Sequence, residues 1–145
     1  MIPVYVCDDE PAVSARIRKL VADQIMMMNG DMGPVEVVGT PEELLEKQRL
    51  ASVPAIYFLD IDFPGSMSGL TLAQKLRQYD PRGFLVFITG HDDLAFETFR
   101  LRLEAMDYIV KGKEAPMAVR IRECLESITE RLGSERPGQG AYCTV

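Results

Sequence analysis

The chain has 145 residues, one domain's length, and its 47% apolar and 26% charged content is the balance of an ordinary globular fold. Sixteen Lys and Arg against 22 Asp and Glu leave a formal net charge of −6, which argues against non-specific binding of the domain to nucleic acid or an anionic membrane. Three cysteines and one histidine, without CxxC or HxxxH spacing, give no paired disulfide framework and no basis for a zinc site.

The opening MIPVYVCDDE has no basic stretch and meets acids after seven residues, so it does not read as a signal peptide. No apolar run approaches 18 residues, so no membrane span is expected and the chain reads as cytoplasmic. Val4 to Cys7 predicts a buried strand ending at Asp8, Asp9 and Glu10. Pro11 suits the first turn of a helix. Val13, Ile17, Leu20, Val21, Ile25 and Met28 then form one apolar stripe, broken only by Gln24, and Asn29-Gly30 ends it. Val35 to Val38 predicts the second strand, and Thr40, Pro41, Glu42 and Glu43 give a cap, a proline and acids for the second helix. Ala55 to Leu59 is apolar throughout, the pattern of a strand buried on both faces.

A loop from Asp60 to Ser68 leads to a helix from about Gly69 to Tyr79, with Leu72, Ala73 and Leu76 inward. Asp80, Pro81, Arg82 and Gly83 form a turn. Phe84 to Ile88 predicts the fourth strand, and Thr89 to Asp93 is expected to open a short helix. Asp107 to Val110 predicts the fifth strand, ending at Lys111. The last helix, about Ala115 to Leu132, turns Met117, Ile121, Cys124, Leu125, Ile128 and Leu132 inward. The expected organisation is one domain over 1–132 and a tail or linker over 133–145.

Strands that alternate with helices predict an α/β fold, doubly wound, with a five-stranded parallel sheet and helices on both faces. Ligands of such sheets bind beyond the carboxyl ends of the strands. There the sequence places Asp8 and Asp9 after strand one, Asp60 after strand three, Thr89 after strand four and Lys111 after strand five. Taken singly, each is an ordinary cap, turn residue or surface charge. Together, three converging carboxylates would repel one another, and a hard divalent cation such as Mg²⁺ relieves that conflict. Opposite the metal, Lys111 and the Thr89 hydroxyl complete a clamp for an anionic phosphoryl group, with Asp60 as nucleophile.

Cys7 to Pro11 (CDDEP), Ile56 to Gly65 (IYFLDIDFPG), Val86 to His91 (VFITGH) and Asp107 to Lys111 (DYIVK) resemble the signature of the receiver domain of bacterial two-component response regulators. The resemblance covers about residues 2–132 and implies a flavodoxin-like strand order 2-1-3-4-5, with the ligand site at its switch point. It also implies that Asp60 accepts a phosphoryl group from a sensor histidine kinase. Asp9, Asp60 and the backbone carbonyl of Asp62 would bind Mg²⁺ directly, and Asp8 through a water. Thr89 and Lys111 would contact the phosphoryl oxygens, and Tyr108 would be the aromatic switch coupled to Thr89. Asp62 and His91 fall where the family tunes the lifetime of the acyl phosphate, Asp62 through access of hydrolytic water.

The nine-residue step from Asp60 to Gly69, together with Leu72 to Phe84, Phe87 to Phe99 and Ile121 to Leu132, is similar to LytTR-type regulators of Gram-positive quorum sensing. That likeness implies transcription regulation, with DNA reached only through a C-terminal domain outside this sequence. The face of helix four, strand five and helix five is expected to form a homodimer or to contact an output domain, with Arg100, Arg102 and Glu104 as candidates for its ion pairs. Gly112 stands where most receivers have a proline, and Gly90 leaves room for the phosphoryl group. The rival readings are a haloacid-dehalogenase-like phosphatase using Asp60 and Asp62, and an unphosphorylated pseudo-receiver. Met26, Met27 and Met28 read as a helix end filling an irregular gap.

Overall fold

Alternation along each strand sends successive side chains to opposite faces, and the apolar residues divide accordingly. The computed structural model describes residues 1–134 apart from Ser52 and Ser66. Its elements run β1 (Ile2–Cys7), α1 (Pro11–Met28), β2 (Met32–Val38), α2 (Pro41–Ala51), β3 (Ile56–Leu59), α3 (Gly69–Tyr79), β4 (Phe84–Thr89), α4 (Ala95–Arg100), β5 (Asp107–Val110) and α5 (Glu114–Ser134). The five strands are all parallel, in the order β2-β1-β3-β4-β5. On one face Val4, Val6, Phe58, Val86 and Ile109 meet Ile17 and Val21 of α1 and Ile121, Leu125 and Ile128 of α5. On the other, Cys7, Tyr57, Leu59 and Phe87 meet Leu44 of α2 and Leu72, Ala73 and Leu76 of α3.

The central strands β3 and β4 are buried along their whole length, as two-sided cover requires. Pro11 occupies the start of α1 as expected, and Asp8 Oδ1 accepts the free Glu10 N–H at 3.0 Å there. The stripe on α1 includes Ser14, which the apolar pattern missed; it is buried because its hydroxyl donates to the Pro11 carbonyl at 3.1 Å. Asn29 ends the helix in the left-handed conformation, its N–H and that of Gly30 returning to Met26 and Ile25. Thr40 caps α2 through the Glu43 N–H, as read.

Several boundaries differ from the sequence reading, β1 for instance beginning at Ile2 rather than Val4. β2 begins at Met32 rather than Val35, and it runs through Gly33 and Pro34. It is an edge strand paired only with β1, across a register shift, so a residue without an N–H is tolerated. Thr89 does not open a helix. It is the last residue of β4, paired with Val110, and α4 begins only at Ala95. α5 continues to Ser134, and the tail expected beyond it lies outside the described residues. No helix among the described residues is long and apolar enough to cross a membrane.

Candidate functional site

The convergence of the site begins in the backbone. Each acid or base is the first residue beyond a strand, and its own N–H extends the ladder by one step. Asp8 N–H donates to Val38 O (3.3 Å), Asp60 N–H to Cys7 O (3.0 Å) and Lys111 N–H to Thr89 O (2.7 Å). Because Cys7 aligns with Leu59, Asp8 and Asp60 emerge at one level of the sheet; Leu59 aligns with Phe87 and Phe87 with Tyr108, so Lys111 leaves β5 two residues further on and its long side chain returns to Asp60.

Asp8 and Asp60 are buried and Asp9 is exposed, and one oxygen from each of the three lies within 4.8 Å of the others. Asp60 Oδ1 accepts the Ile61 N–H at 2.7 Å. Asp60 Oδ2 accepts from Lys111 Nζ at 3.0 Å. The same Nζ forms an ion pair with Asp8 Oδ2 at 2.9 Å, outside hydrogen-bond geometry, and no other donor among the described residues reaches that buried oxygen. Burial pulls the Lys111 ammonium down, yet the carboxylates of Asp8 and Asp60 more than offset this, and its pKa is raised. Lys111 is therefore no solvated surface charge; its side chain is mostly enclosed.

Gly69 fixes the floor of the site. A Cβ there would stand 1.9 Å from Asp60 O and 2.6 Å from Ile61 Cα, so only glycine lets α3 start this close. Its N–H donates to Ile61 O at 2.8 Å. An open cleft of about 550 Å³ sits above, lined by Asp9, Asp60, Asp62, Phe63, Gly90 and Lys111 among others. Among the described residues nothing lies within 4 Å of a Cβ on Gly90, which agrees with the space expected there.

Thr89 is fully buried, and its hydroxyl accepts the His91 N–H at 3.4 Å. Tyr108 stacks obliquely against Phe87, ring centres 6.1 Å apart, and donates its hydroxyl to the His91 carbonyl at 2.6 Å. Burial pushes the Tyr108 phenol up. Asp62 does not bring its carboxylate to the acid cluster. Its Oδ2 instead meets His91 Nε2 at 2.5 Å, while its N–H approaches Asp60 Oδ1 at 3.5 Å. His91 thus links Thr89, two residues before it, to Tyr108 and Asp62, two contacts that sequence separation hides.

Two buried acids and one exposed acid gather around one lysine at the ends of β1, β3 and β5, and residues 4–122 match the response regulator receiver domain family. The chain belongs to that family. The receiver is 32% identical over 129 residues to accessory gene regulator protein A of Staphylococcus epidermidis, and 31% identical to that of Staphylococcus aureus. Each alignment covers 89% of this chain and 54% of the relative, so the receiver spans about half the length of these relatives. This agrees with the LytTR-type likeness.

Among solved structures, the response regulatory domain of MrkE from Klebsiella pneumoniae matches with TM-score 0.74 and 29% identity, over 92% of this chain and all of that one. The receiver domain of AraT from Geobacillus stearothermophilus matches with TM-score 0.71 and 28% identity, over 92% and 97%. A Thermotoga maritima response regulator solved with Mg²⁺ and a beryllium fluoride shares the fold at TM-score 0.62 and 22% identity. The strand order and the cover of helices on both faces are those the resemblance implied.

Proposed function

We propose that the receiver accepts a phosphoryl group on Asp60 from the phosphohistidine of a sensor kinase, in the cytoplasm, with Mg²⁺ at Asp8, Asp9 and Asp60. The observation that carries this reading is the buried pair Asp8 and Asp60 sharing one lysine, with Asp9 within reach and one Asp8 oxygen that no other donor among the described residues reaches. Such a donor set, all oxygen and in excess of its counter-charge, fits a hard divalent cation. When bound, Mg²⁺ supplies charge neutralisation to the phosphoryl oxygens. The Asp62 carbonyl belongs to the same proposed set.

An Asp60 carboxylate oxygen forms the new bond to phosphorus as the phosphorus–nitrogen bond of the donor breaks. The electron pair leaves with the imidazole, which takes a proton from solvent. Lys111 and the Thr89 hydroxyl are assigned to the phosphoryl oxygens. The step ends in a stable modified side chain rather than turnover, until water attacks phosphorus and releases phosphate. Asp62, held by His91 at the cleft, is assigned to limiting that water.

The signal is read as a change at Thr89 and Tyr108 carried to the face of α4, β5 and α5. Support for an interface there comes from Phe96 and Phe99, exposed by 71% and 80% on α4, and from Val110 on β5 and Val119 on α5, both exposed. Arg100 pairs with Glu97 of its own helix at 2.7 Å, so it enters a dimer only by leaving that partner. Regulation of transcription through a further DNA-binding domain, as in LytTR-type proteins, belongs to this proposal, with residues 1–132 as the receiver unit. The phosphatase alternative finds no support in the Asp62 carboxylate, which is paired with His91. The acceptor, acid pair and lysine of an active receiver are all present, which disfavours the unphosphorylated alternative.

The test is incubation with Mg²⁺ and acetyl phosphate, read by intact mass. Wild type is expected to gain one phosphoryl group, and Asp60→Ala or wild type with a chelator none. Continuous hydrolysis of a phosphomonoester without a retained phosphoryl group would overturn the reading.

A further inference from the structure

The link from α4 to β5 holds two non-glycine residues in the left-handed region within three positions, Arg102 at φ 56° and Glu104 at φ 55°. α4 ends with Arg102 N–H on Phe99 O (3.0 Å) and Leu103 N–H on Thr98 O (3.2 Å). This is the Schellman pairing, with an arginine where glycine is usual. Leu103, between the two strained residues, is buried against the α3 side of the sheet. Such backbone states persist only where their surroundings hold them.

The hold comes from Arg77 of α3. Its Nε donates to Leu103 O (2.7 Å) and its Nη2 to Glu104 O (3.0 Å). Its Nη1 donates to Gly83 O (2.7 Å) and Pro81 O (3.2 Å) in the turn before β4. One planar guanidinium therefore ties consecutive carbonyls of the link to a neighbouring turn, with charge-assisted bonds. Burial lowers the Arg77 pKa, but an arginine stays protonated wherever the fold exists.

We propose that Arg77 is the pin of a hinge: it holds the α4–β5 link in its left-handed form and so sets the resting position of α4 and its exposed Phe96 and Phe99. The part of this proposal that moves the hinge on phosphorylation rests on the receiver reading above; the pin itself does not. Arg77 is a positioning residue, since Gly83 and Phe84 lie at the opposite end of β4 from Thr89 and the phospho-acceptor site.

The test is hydrogen exchange read by mass spectrometry on the full chain, comparing wild type, Arg77→Gln and, as a surface control on α3, Gln78→Ala. Each is measured with Mg²⁺ alone and with Mg²⁺ plus acetyl phosphate, and intact mass is recorded in parallel. In Arg77→Gln the amides of Leu101, Arg102, Leu103 and Met106 are expected to exchange at least about tenfold faster. Peptides from β3 and β4 keep their wild-type rates, phosphoryl uptake is retained, and phosphorylation adds less to exchange over 94–106 than it does in wild type. Adding Arg102→Gly, which makes the left-handed state easy, slows the link again. Should Arg77→Gln fail to fold, Arg77→Lys keeps the charge but cannot span four carbonyls, and loosens the same amides. Wild-type exchange at the link in the Arg77 variant, equal acceleration across the whole chain, or no rescue by Arg102→Gly would overturn the pin. A wild type that takes up no phosphoryl group, with the link still loosened in Arg77→Gln, would sink the receiver reading and leave the pin standing.

Discussion

Gly69→Ala puts a methyl group where the backbone leaves no room. The added carbon would stand 1.9 Å from Asp60 O, and reaching even 3.0 Å requires the start of α3 to retreat by about 1.1 Å. The neighbours are backbone atoms of Asp60 and Ile61, which cannot rotate away as a side chain tip would. Overpacking of this kind costs about 3 kcal/mol, and the gain of helix propensity from Ala returns at most about 1 kcal/mol. The net loss of about 2–3 kcal/mol corresponds to a fall in melting temperature of about 10 °C for a domain of this size. The retreat also stretches the 2.8 Å bond from Gly69 N–H to Ile61 O and displaces the loop that carries Asp60. A shift near 1 Å at a reacting group slows its chemistry by up to about 100-fold, so uptake from acetyl phosphate should fall with stability. Thermal unfolding by circular dichroism and intact-mass kinetics measure the two effects. Gly39→Ala, with nothing within 4 Å of its Cβ, is the control. A Gly69→Ala protein with the wild-type melting point and uptake rate would refute the argument.

Lys111→Met should remove the cation shared by two buried carboxylates and lower the stability of the metal-free protein by about 3 kcal/mol. Saturating Mg²⁺ should restore more stability to this variant than to wild type in thermal unfolding, and an equal gain in both would contradict the shared-charge picture. Burial pushes the thiols of Cys7 and Cys124 up to about 12, so each is a thiolate only about 10⁻⁴ of the time at pH 8. Iodoacetamide at that pH should leave both unmodified in the folded protein and alkylate both after denaturation, as peptide mapping would read. Asp62→Ala should speed loss of phosphate from the phosphorylated protein several-fold, by removing the carboxylate held over the cleft by His91; an unchanged rate would remove Asp62 from that role.

What the sequence disclosed and what it hid divide along physical lines. Residues that end an apolar strand run are visible as such, and this was enough to bring Asp8, Asp60 and Lys111 to one place. Features that depend on distant partners were not visible. Asp80 reads as turn chemistry, yet its Oδ2 is buried, accepting the Ala55 N–H at 3.0 Å and the Tyr57 hydroxyl at 2.7 Å. Nothing in the sequence around Arg77 singles it out, because its four acceptors lie up to 27 residues away. β2 was cut short because Gly33 and Pro34 carry turn signals, which an edge strand can absorb. α4, at six residues, is too short for periodicity to reveal that Phe96 and Phe99 face outward.

The central claim is that one carboxylate, Asp60, takes the phosphoryl group. Borohydride reduces an acyl phosphate to the alcohol, so treating the phosphorylated protein and sequencing its peptides by tandem mass spectrometry reads the position directly. Homoserine at position 60, and at neither Asp8, Asp9 nor Asp62, is the predicted result. Reduction at another acid, or a phosphoryl group that survives on Asp60→Ala, would contradict the account.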